Sequence, residues 1–238
     1  MSVYVTSDLH GLELAQLKKL LQKAGFGPGD WLYILGDVVD RNGDGGVEIL
    51  CWLLEQPNAQ LILGNHEAML LSCAFVFDHI TNESIQEITA EKIGLLNNYI
   101  QNGGDVTLKT MRQLHRESPQ TVQDILDYLR EAPLYEAITA GGRDFLLVHS
   151  GIDNFDKRKK MPQYSADDFL WKSPELETEY FDDIIMVFGH TPTMAYGKEY
   201  TGKILKTRTW IDIDVGAGFG QKAALLRLDD LKEFYAVD

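Results

Sequence analysis

The chain has 238 residues, 45% of them hydrophobic, and a formal net charge of −14. This length and apolar content favour one α/β domain with a substantial core, and the negative charge argues against binding duplex nucleic acid, because that contact needs basic residues to neutralise phosphates. The sequence shows no run of 18 apolar residues and no signal-peptide pattern, so we expect a soluble cytoplasmic protein without membrane contact.

The first third of the sequence alternates strand and helix patterns. Short apolar runs predict buried strands at residues 3–5, 31–35 and 60–63. Leucines at helical spacing predict a helix over residues 14–24, and Gly25 is a typical residue to end it. A second helix is predicted over residues 47–55. This order of strands and helices predicts a parallel sheet.

Residues 68–132 break this alternation and predict a helical insertion. Ser84 with Glu87 has the spacing of a capping box at the start of a helix, and Ser118-Pro119 fits an N-cap followed by proline in the first helical turn. From residue 134 onward short strands predominate, which predicts a second sheet. The predicted strands there are residues 135–139, 144–148, 184–188, 203–205, 211–215, 223–228 and 232–237.

Turn residues near the end of the chain indicate how the late strands pair. Glycines at residues 216–220 and the pair Asp229-Asp230 predict antiparallel pairing across both turns. We therefore expect an α/β fold in which two sheets form a β-sandwich flanked by helices. We also expect a single domain over residues 1–238, with the helical insertion at about residues 68–132.

Polar residues follow five of the predicted strands at their carboxyl ends, where open α/β sheets place their sites. Three strand ends carry the phrases Ser7-Asp8-Leu9-His10-Gly11, Gly36-Asp37-Val38-Val39-Asp40-Arg41 and Gly64-Asn65-His66-Glu67. The other two strands end at His149 and His190. A single aspartate or histidine in such a place is more often structural, but five strand ends with ligand side chains indicate a metal site.

The spacing of these side chains allows two ions. Asp8 and His10 are one residue apart on an extended segment and can point to the same side, while Asp37 from the adjacent strand can bridge two ions. The second ion can be completed by Asn65, His149 and His190. This mixture of carboxylate, amide and imidazole ligands suits divalent Mn²⁺, Fe or Zn²⁺ in an open site.

The order of these phrases resembles the calcineurin-like metallophosphoesterases, and within them the bacterial serine/threonine protein phosphatases of the phosphoprotein phosphatase family. The family pattern of Asp-x-His-Gly, Gly-Asp-x-x-Asp-Arg, Gly-Asn-His-Glu and two later histidines is matched in order from Asp8 to His190. Similar phrases at residues 102–107, 149–151, 189–192 and 214–217 extend the resemblance over almost the whole chain. The resemblance implies the four-layer α/β/β/α fold of that family.

The resemblance also implies a role for each site residue. Two divalent ions, first of all Mn²⁺, would be bound, one by Asp8, His10 and Asp37 and the other by Asp37, Asn65, His149 and His190. A hydroxide between the ions would attack phosphorus in line. His66 would protonate the leaving alkoxide, Asp40 would orient the His66 ring, and Arg41 would hold the phosphoryl oxygens.

The sequence departs from the family pattern at two places. A second phosphate-binding arginine is not evident, and the nearest basic candidates are Lys172 and Arg158. Asn42 stands where the family usually has glycine after the arginine. Asparagine tolerates left-handed backbone angles better than most residues, so we expect Asn42 to keep the turn.

These features predict a metal-dependent phosphomonoester hydrolase, specifically a serine/threonine protein phosphatase acting on a phosphorylated protein or a small phosphoester. One alternative is a symmetrical diadenosine tetraphosphate hydrolase, which has the same metal motifs and a similar Gly-Gly-x-x-Thr phrase. Another is a catalytically weak binding scaffold, against which the intact His66, Asp40 and Arg41 argue. The sequence leaves the native metal, the physiological substrate and the oligomeric state open.

Overall fold

Two five-stranded sheets form the centre of the structure. The computed structural model describes residues 1–78 and 88–236. The first sheet has the order β10-β9-β1-β2-β3, with β1 at Val3–Thr6, β2 at Trp31–Ile34, β3 at Ala59–Leu61, β9 at Ala224–Arg227 and β10 at Lys232–Tyr235. The second has the order β4-β5-β6-β8-β7, with β4 at Tyr135–Ala140, β5 at Arg143–Val148, β6 at Ile184–Phe188, β7 at Leu205–Lys206 and β8 at Trp210–Asp212. The predicted two-sheet α/β fold is confirmed.

Apolar side chains from both sheets fill the space between them. In β1, Val3 and Val5 pack in the same cluster as Phe145 of β5 and Val187 of β6, whereas Tyr4 packs on the opposite face among helix residues. This alternation follows from the two-residue period of a strand. Strands β1 and β2 of the first sheet thereby pack against β5 and β6 of the second. The carboxyl ends of these four strands lie in one region of the molecule.

The first three strands pair as the sequence predicts. Residues of β1 and β2 pair in parallel from Val3 with Trp31 to Thr6 with Ile34, and β2 and β3 are parallel as well. In the second sheet, β5, β6 and β8 are parallel, while β4 and β7 run antiparallel at the two edges. Because parallel strands end at the same edge, the residues that follow β1, β2, β3, β5 and β6 can meet.

The prediction that the last two strands belong to the second sheet is wrong. Strand β9 lies beside β1 in the first sheet and is antiparallel to both β1 and β10. The turn at Asp229-Asp230 does join an antiparallel pair, but the glycine-rich turn at residues 216–220 carries the chain from one sheet to the other. The composition of β9 explains this position, because Leu225 packs towards the helices and Leu226 towards the other sheet.

Six described α-helices surround the sheets: α1 at Leu14–Ala24, α2 at Val47–Leu54, α3 at Asn65–Ser72, α4 at Ala90–Tyr99, α5 at Asp105–Glu117 and α6 at Pro119–Glu131. Helix α1 ends at Gly25 with a φ of 78°, and α6 begins at Pro119, as predicted. The capping box predicted for Ser84 and Glu87 lies outside the described residues. In the part of the chain that the structure describes, no helix has the length and apolar character to cross a membrane.

The outer face of the second sheet is covered by the chain between β5 and β6. This segment contains short 3₁₀ helices at Met161–Gln163 and Asp167–Phe169. Phe169 and Tyr180 from the segment pack on Val148 and Phe188 of the sheet. The segment therefore covers this face of the sandwich. Its Lys172 returns to the end of β5, where it pairs with Gly151.

Asp212, at the end of β8, predicts a pH-dependent stability. Its side chain is fully buried, its Oδ1 accepts the Asp214 N–H at 2.9 Å, and its Oδ2 has no partner among the described residues. Burial, followed by repulsion from Asp214, raises the pKa of Asp212 well above its ordinary value of 3.8. A raised pKa in the fold means that stability is complete below pH 3.8 and falls as the pH rises and the proton is lost.

We expect the substitution Asp212→Asn to raise the free energy of unfolding by roughly 1–3 kcal/mol at pH 8, because the buried wild-type carboxyl must then keep a proton that the unfolded chain releases, a cost that the neutral amide does not have. At about pH 3 the two proteins should have nearly the same stability, because aspartate is then neutral in both states. Urea unfolding of the chelator-treated proteins at the two pH values measures the difference, with the exposed Asp183→Asn as control. If the difference in free energy of unfolding between the two proteins is the same at both pH values, the raised pKa of Asp212 is contradicted.

Candidate metal centre

The site lies where the ends of five strands meet, and its backbone is strained. Among the described residues, eight that are not glycine have a positive φ, and six of these are predicted site residues: Asp8, His10, Asp37, Asp40, Arg41 and His190. Such angles are costly for residues with a Cβ and are found where the surrounding structure enforces them. The loops after the strands are thus shaped to direct these side chains inward.

One group of side chains gathers around the first face of Asp37. His10 Nε2 lies 3.7 Å from Asp37 Oδ2 and 3.9 Å from Asp8 Oδ1. A second group gathers around the other face, where His149 Nε2 lies 3.5 Å from Asp37 Oδ1. Asn65 Oδ1 completes this second group, at 2.8 Å from His149 Nε2 and 3.0 Å from His190 Nδ1. The two oxygens of Asp37 therefore face two different sets of donors.

The donor set fits two divalent ions. Asp8 Oδ1 is buried and has no hydrogen-bond partner among the described residues, which is expected of an oxygen that takes a cation. The ring nitrogens that face away from the centre are held by carbonyl oxygens, His10 Nδ1 by Val39 at 2.9 Å and His149 Nδ1 by Leu35 at 2.7 Å. These bonds place the proton on Nδ1 and leave the Nε2 lone pair free for a metal.

The predicted histidine ligands are neutral at pH 7, as metal ligands must be. Burial lowers the pKa of His10 to about 3 and, with the neighbouring His149, that of His190 to about 4. Burial also lowers the pKa of His149. For Asp37, burial acts to raise the pKa, but the surrounding histidine rings together hold it below its ordinary value. The centre thus combines an ionised Asp37 with neutral imidazoles, whereas burial, Asp214 and Asp37 raise the pKa of Asp8 well above its ordinary value.

His66 has a different environment from the other three histidines. Its Nδ1 lies 2.6 Å from Asp40 Oδ2 and its Nε2 lies 3.8 Å from Asp37 Oδ2. Burial works against the charged ring, but Asp37 and Asp40 raise the pKa of His66 above its ordinary value. A protonated imidazole beside the metal-binding carboxylate is suited to giving up a proton. His10, Asp37 and His66 also lie close enough together to share one ion, so the arrangement allows His66 as a ligand.

Arg41 reaches into the same space. Its Nη2 lies 3.2 Å from His66 Nε2, and the guanidinium carbon lies 4.6 Å from the centre of the Phe219 ring. The aromatic face supports the planar guanidinium without using its N–H donors, so the donors other than the one facing His66 stay available for an anion. The positive φ angles of this loop are at Asp40 and Arg41 and not at Asn42, yet the turn is kept, with the Gly45 N–H bonded to the Asn42 carbonyl at 2.9 Å. Asn42 also donates through Nδ2 to the His10 carbonyl at 3.1 Å.

Glu67 holds the loop that carries Asp37. Its carboxylate is fully buried and accepts the backbone N–H groups of Asp37 at 2.8 Å, Val38 at 2.8 Å, Val39 at 3.2 Å and Gly64 at 3.1 Å. Burial and the nearby Asp37 raise the pKa of Glu67 to about 7. A Cβ at Gly64 would collide with Asp37, so glycine is required for this close approach. The loops after β2 and β3 are therefore fixed to each other.

Two side chains that sequence reasoning missed bind Asp40. Tyr99 donates its hydroxyl to Asp40 Oδ1 at 2.6 Å, and Thr107 Oγ1 lies at the same distance from that oxygen. Thr107 falls within a phrase noted for its family resemblance, but nothing in that resemblance assigns it a contact. Tyr99 ends a helix in which it is the one buried residue, and no sequence signal marks it.

The two basic candidates for phosphate binding are engaged elsewhere. Lys172 Nζ lies 3.7 Å from Asp153 Oδ1 and Arg158 Nη2 lies 2.8 Å from Asp156 Oδ2, with side chains 45% and 89% exposed. Within residues 1–78 and 88–236, neither side chain has a hydrogen bond or ion pair with a predicted metal ligand. The backbone of Lys172 pairs with Gly151, next to His149. Substrate binding by either residue stays a prediction.

Comparison of the sequence with known proteins identifies a family. The family model described as calcineurin-like phosphoesterase matches residues 1–213. A symmetrical bis(5'-nucleosyl)-tetraphosphatase from Acidovorax sp. strain JS42 is 25% identical over 206 residues, covering 82% of this chain and 58% of the relative. One from Haemophilus influenzae strain PittGG is 27% identical over 274 residues, covering 99% of this chain and 96% of the relative. The chain thus spans little more than half of the Acidovorax relative.

Solved structures share the fold at low sequence identity. A crystal structure assigned as a diadenosine tetraphosphatase superimposes with a TM-score of 0.62 and 18% identity, covering 99% of this chain and 92% of that one. A protein serine/threonine phosphatase from Saccharomyces cerevisiae gives a TM-score of 0.56 and 16% identity, covering 100% of this chain and 81% of that one. Both likenesses concern the two-sheet architecture.

Proposed function

Because the chain belongs to the calcineurin-like phosphoesterase family, we propose that it is a metal-dependent phosphomonoesterase that removes phosphate from phosphoserine and phosphothreonine side chains of proteins. The observation that carries this proposal is the His66–Asp40 pair beside Asp37. A serine or threonine alkoxide is a poor leaving group and needs a proton as the P–O bond breaks, which a positioned imidazolium supplies.

The residues of the site divide the reaction between them. Arg41 binds the phosphoryl oxygens through its planar guanidinium, and His66 donates the proton from Nε2 to the leaving oxygen while Asp40 holds Nδ1. Asp8, His10, Asp37, Asn65, His149 and His190 would hold two divalent ions, with Mn²⁺ as the proposed metal. When bound, such ions lower the pKa of water and stabilise the charge of the phosphoryl group.

A second candidate is symmetrical hydrolysis of diadenosine tetraphosphate. The observation in its favour is that the relatives from Acidovorax and Haemophilus carry the name of that activity. In this reaction the leaving group is a nucleotide phosphate, which is a stable anion and depends far less on a proton donor. A binding scaffold without turnover is a third reading, and the complete set of His66, Asp40 and Arg41 argues against it.

A substrate panel distinguishes these functions. The Mn²⁺-loaded protein is assayed for kcat/KM with a phosphoserine peptide, p-nitrophenyl phosphate and diadenosine tetraphosphate. We expect the phosphoserine peptide to exceed the dinucleotide by on the order of 10-fold or more, because only the alkoxide makes full use of the acid. A preference for the dinucleotide would support the second candidate, and negligible turnover of all three by protein with two bound ions would support the scaffold.

A further inference from the structure

The two oxygens of Asp40 have separate partners. Oδ2 faces His66 Nδ1 at 2.6 Å, which leaves Oδ1 to accept hydrogen bonds from other residues. Oδ1 receives the Tyr99 hydroxyl and lies near Thr107 Oγ1, each at 2.6 Å. Asp40, Tyr99 and Thr107 have no solvent-exposed surface. The carboxylate that orients His66 is thus itself oriented by two hydroxyl groups without help from solvent.

Each hydroxyl is tied to Asp40 in a different way. Burial and the nearby Asp40 carboxylate raise the pKa of Tyr99, which therefore keeps its proton and acts as donor. Thr107 Oγ1 also lies 3.0 Å from the backbone nitrogen of Asp40 and 3.1 Å from the carbonyl of Gly45. The φ of Asp40 is 78°, a costly angle for aspartate. Thr107 therefore supports the strained backbone as well as the carboxylate, whereas the Tyr99 hydroxyl bonds to the carboxylate and also interacts with the Thr107 side chain.

Both hydroxyl groups come from the helices between β3 and β4. Tyr99 is the last residue of α4 and Thr107 lies in the first turn of α5. The chain between these helices bends at Gly103, where φ is 95°, and the Gly103 carbonyl accepts the Arg41 N–H at 3.0 Å. The bend therefore brings the two helix ends onto Asp40 and the adjacent Arg41 at once.

We propose that Tyr99 and Thr107 are positioning residues for proton transfer, which act on His66 through Asp40. The proposal rests on the general-acid role of His66 given above. Without the hydrogen bond at Oδ1, the Asp40 carboxylate loses a fixed orientation and a charge-stabilising donor in a site closed to water. The His66 ring then points less reliably at the leaving oxygen, while the metal-binding side chains keep their own contacts. Helices α4 and α5 thereby supply the two side chains that hold the general acid in position.

A matched pair of substrates tests this assignment on the Mn²⁺-loaded protein. The phenolate of phenyl phosphate needs a proton on leaving much more than the nitrophenolate of p-nitrophenyl phosphate, although the two esters have nearly the same shape. For Tyr99→Phe we expect kcat to fall on the order of 10-fold with phenyl phosphate and less than about 2-fold with p-nitrophenyl phosphate. KM for both esters and Mn²⁺ affinity by titration calorimetry should stay near wild type.

Two further variants make the result interpretable. Tyr4→Phe removes another buried tyrosine hydroxyl, which donates to the Ala24 carbonyl at 3.2 Å on the far side of the first sheet, and we expect it to lower kcat equally or not at all for the two esters. His66→Asn sets the full size of the leaving-group effect. If His66→Asn lacks that effect, the general-acid role fails. If His66→Asn shows the leaving-group effect and Tyr99→Phe does not, the positioning role is overturned. It is also overturned if Tyr99→Phe lowers kcat equally for both esters or weakens Mn²⁺ binding.

A spectroscopic measurement keeps the inference testable apart from turnover. The ¹⁵N chemical shifts of the His66 ring report how strongly Nδ1 donates to Asp40. We expect Tyr99→Phe to move these shifts while Tyr4→Phe leaves them in place. Unchanged His66 shifts in a folded Tyr99→Phe protein would mean that Asp40 keeps its orientation without the hydroxyl, which contradicts the proposal.

Discussion

Replacing His66 with asparagine is expected to lower kcat by roughly 10²–10⁴-fold, the range for loss of general acid catalysis, while the protein keeps its Mn²⁺ content. Asparagine retains the backbone N–H that His66 donates to Asp37 Oδ1 at 3.0 Å, so the metal-binding carboxylate should remain oriented. The variant loses the proton that His66 donates from Nε2, an atom that lies 3.8 Å from Asp37 Oδ2. Steady-state kinetics with a phosphoserine peptide and metal analysis of the same preparation measure the two quantities.

The competing arrangement is that His66 binds an ion with His10 and Asp37, whose donor atoms lie close to its own. In that case His66→Asn would lose metal in proportion to activity, and added Mn²⁺ would restore much of the turnover. The matched control is His115→Asn on α5, since His115 is partly buried against Phe77 and has no hydrogen bond or ion pair with a site residue among those described. We expect that control to retain both metal and kcat.

Replacing Asp37 with asparagine should have an effect of comparable or larger size, because Asp37 joins both sets of donors. Its Oδ2 faces His10 and its Oδ1 faces His149, so a neutral amide supplies one oxygen where two are needed and turns an N–H donor towards the other set. We expect Mn²⁺ affinity to fall by more than the roughly 10–100-fold typical of losing a contact to a ligand. Activity at limiting Mn²⁺ should fall on the order of 10³-fold, which corresponds to about 4 kcal/mol.

Titration calorimetry on the chelator-treated protein, with kinetics at matched Mn²⁺ concentrations, tests this expectation. The exposed Asp124→Asn on α6 removes the same charge far from the donor set and should leave both measurements unchanged. Two Mn²⁺ ions bound by Asp37→Asn with wild-type affinity would show that Asp37 is not shared between the ions. The metal assignment would then need another bridging residue.

The sequence predicts the three parallel strands of the first sheet because they depend on short-range patterns. Apolar runs followed by Asp8, Asp37 and Asn65 identify strands and their ends, and parallel pairing then brings those ends together. The sheet to which β9 belongs depends instead on which distant strand it meets. A tight turn is equally compatible with a hairpin and with a crossing between sheets, so local turn residues do not decide the pairing.

The contacts that surround the donors were harder to predict, for a similar reason. Glu67 stands in the phrase after β3 with no contact assigned from the sequence, although it receives four backbone N–H groups. Tyr99 is 59 positions away from Asp40 in the chain, and no periodicity or motif links them. Residues that act through a neighbour carry no chemical signature of their own, so only the folded arrangement reveals them.

The position of β1 in the middle of the first sheet has a consequence for how the protein folds. The Val3 N–H bonds to Asp229, 226 positions later, and Thr6 bonds to the Ala224 carbonyl, 218 positions later. Contacts between such distant segments carry a high loop-closure cost and form slowly. During synthesis on the ribosome, β1 can meet β2 early but must wait for β9. Because Asp8 closely follows β1, we expect high metal affinity to appear only after β9 has joined the sheet.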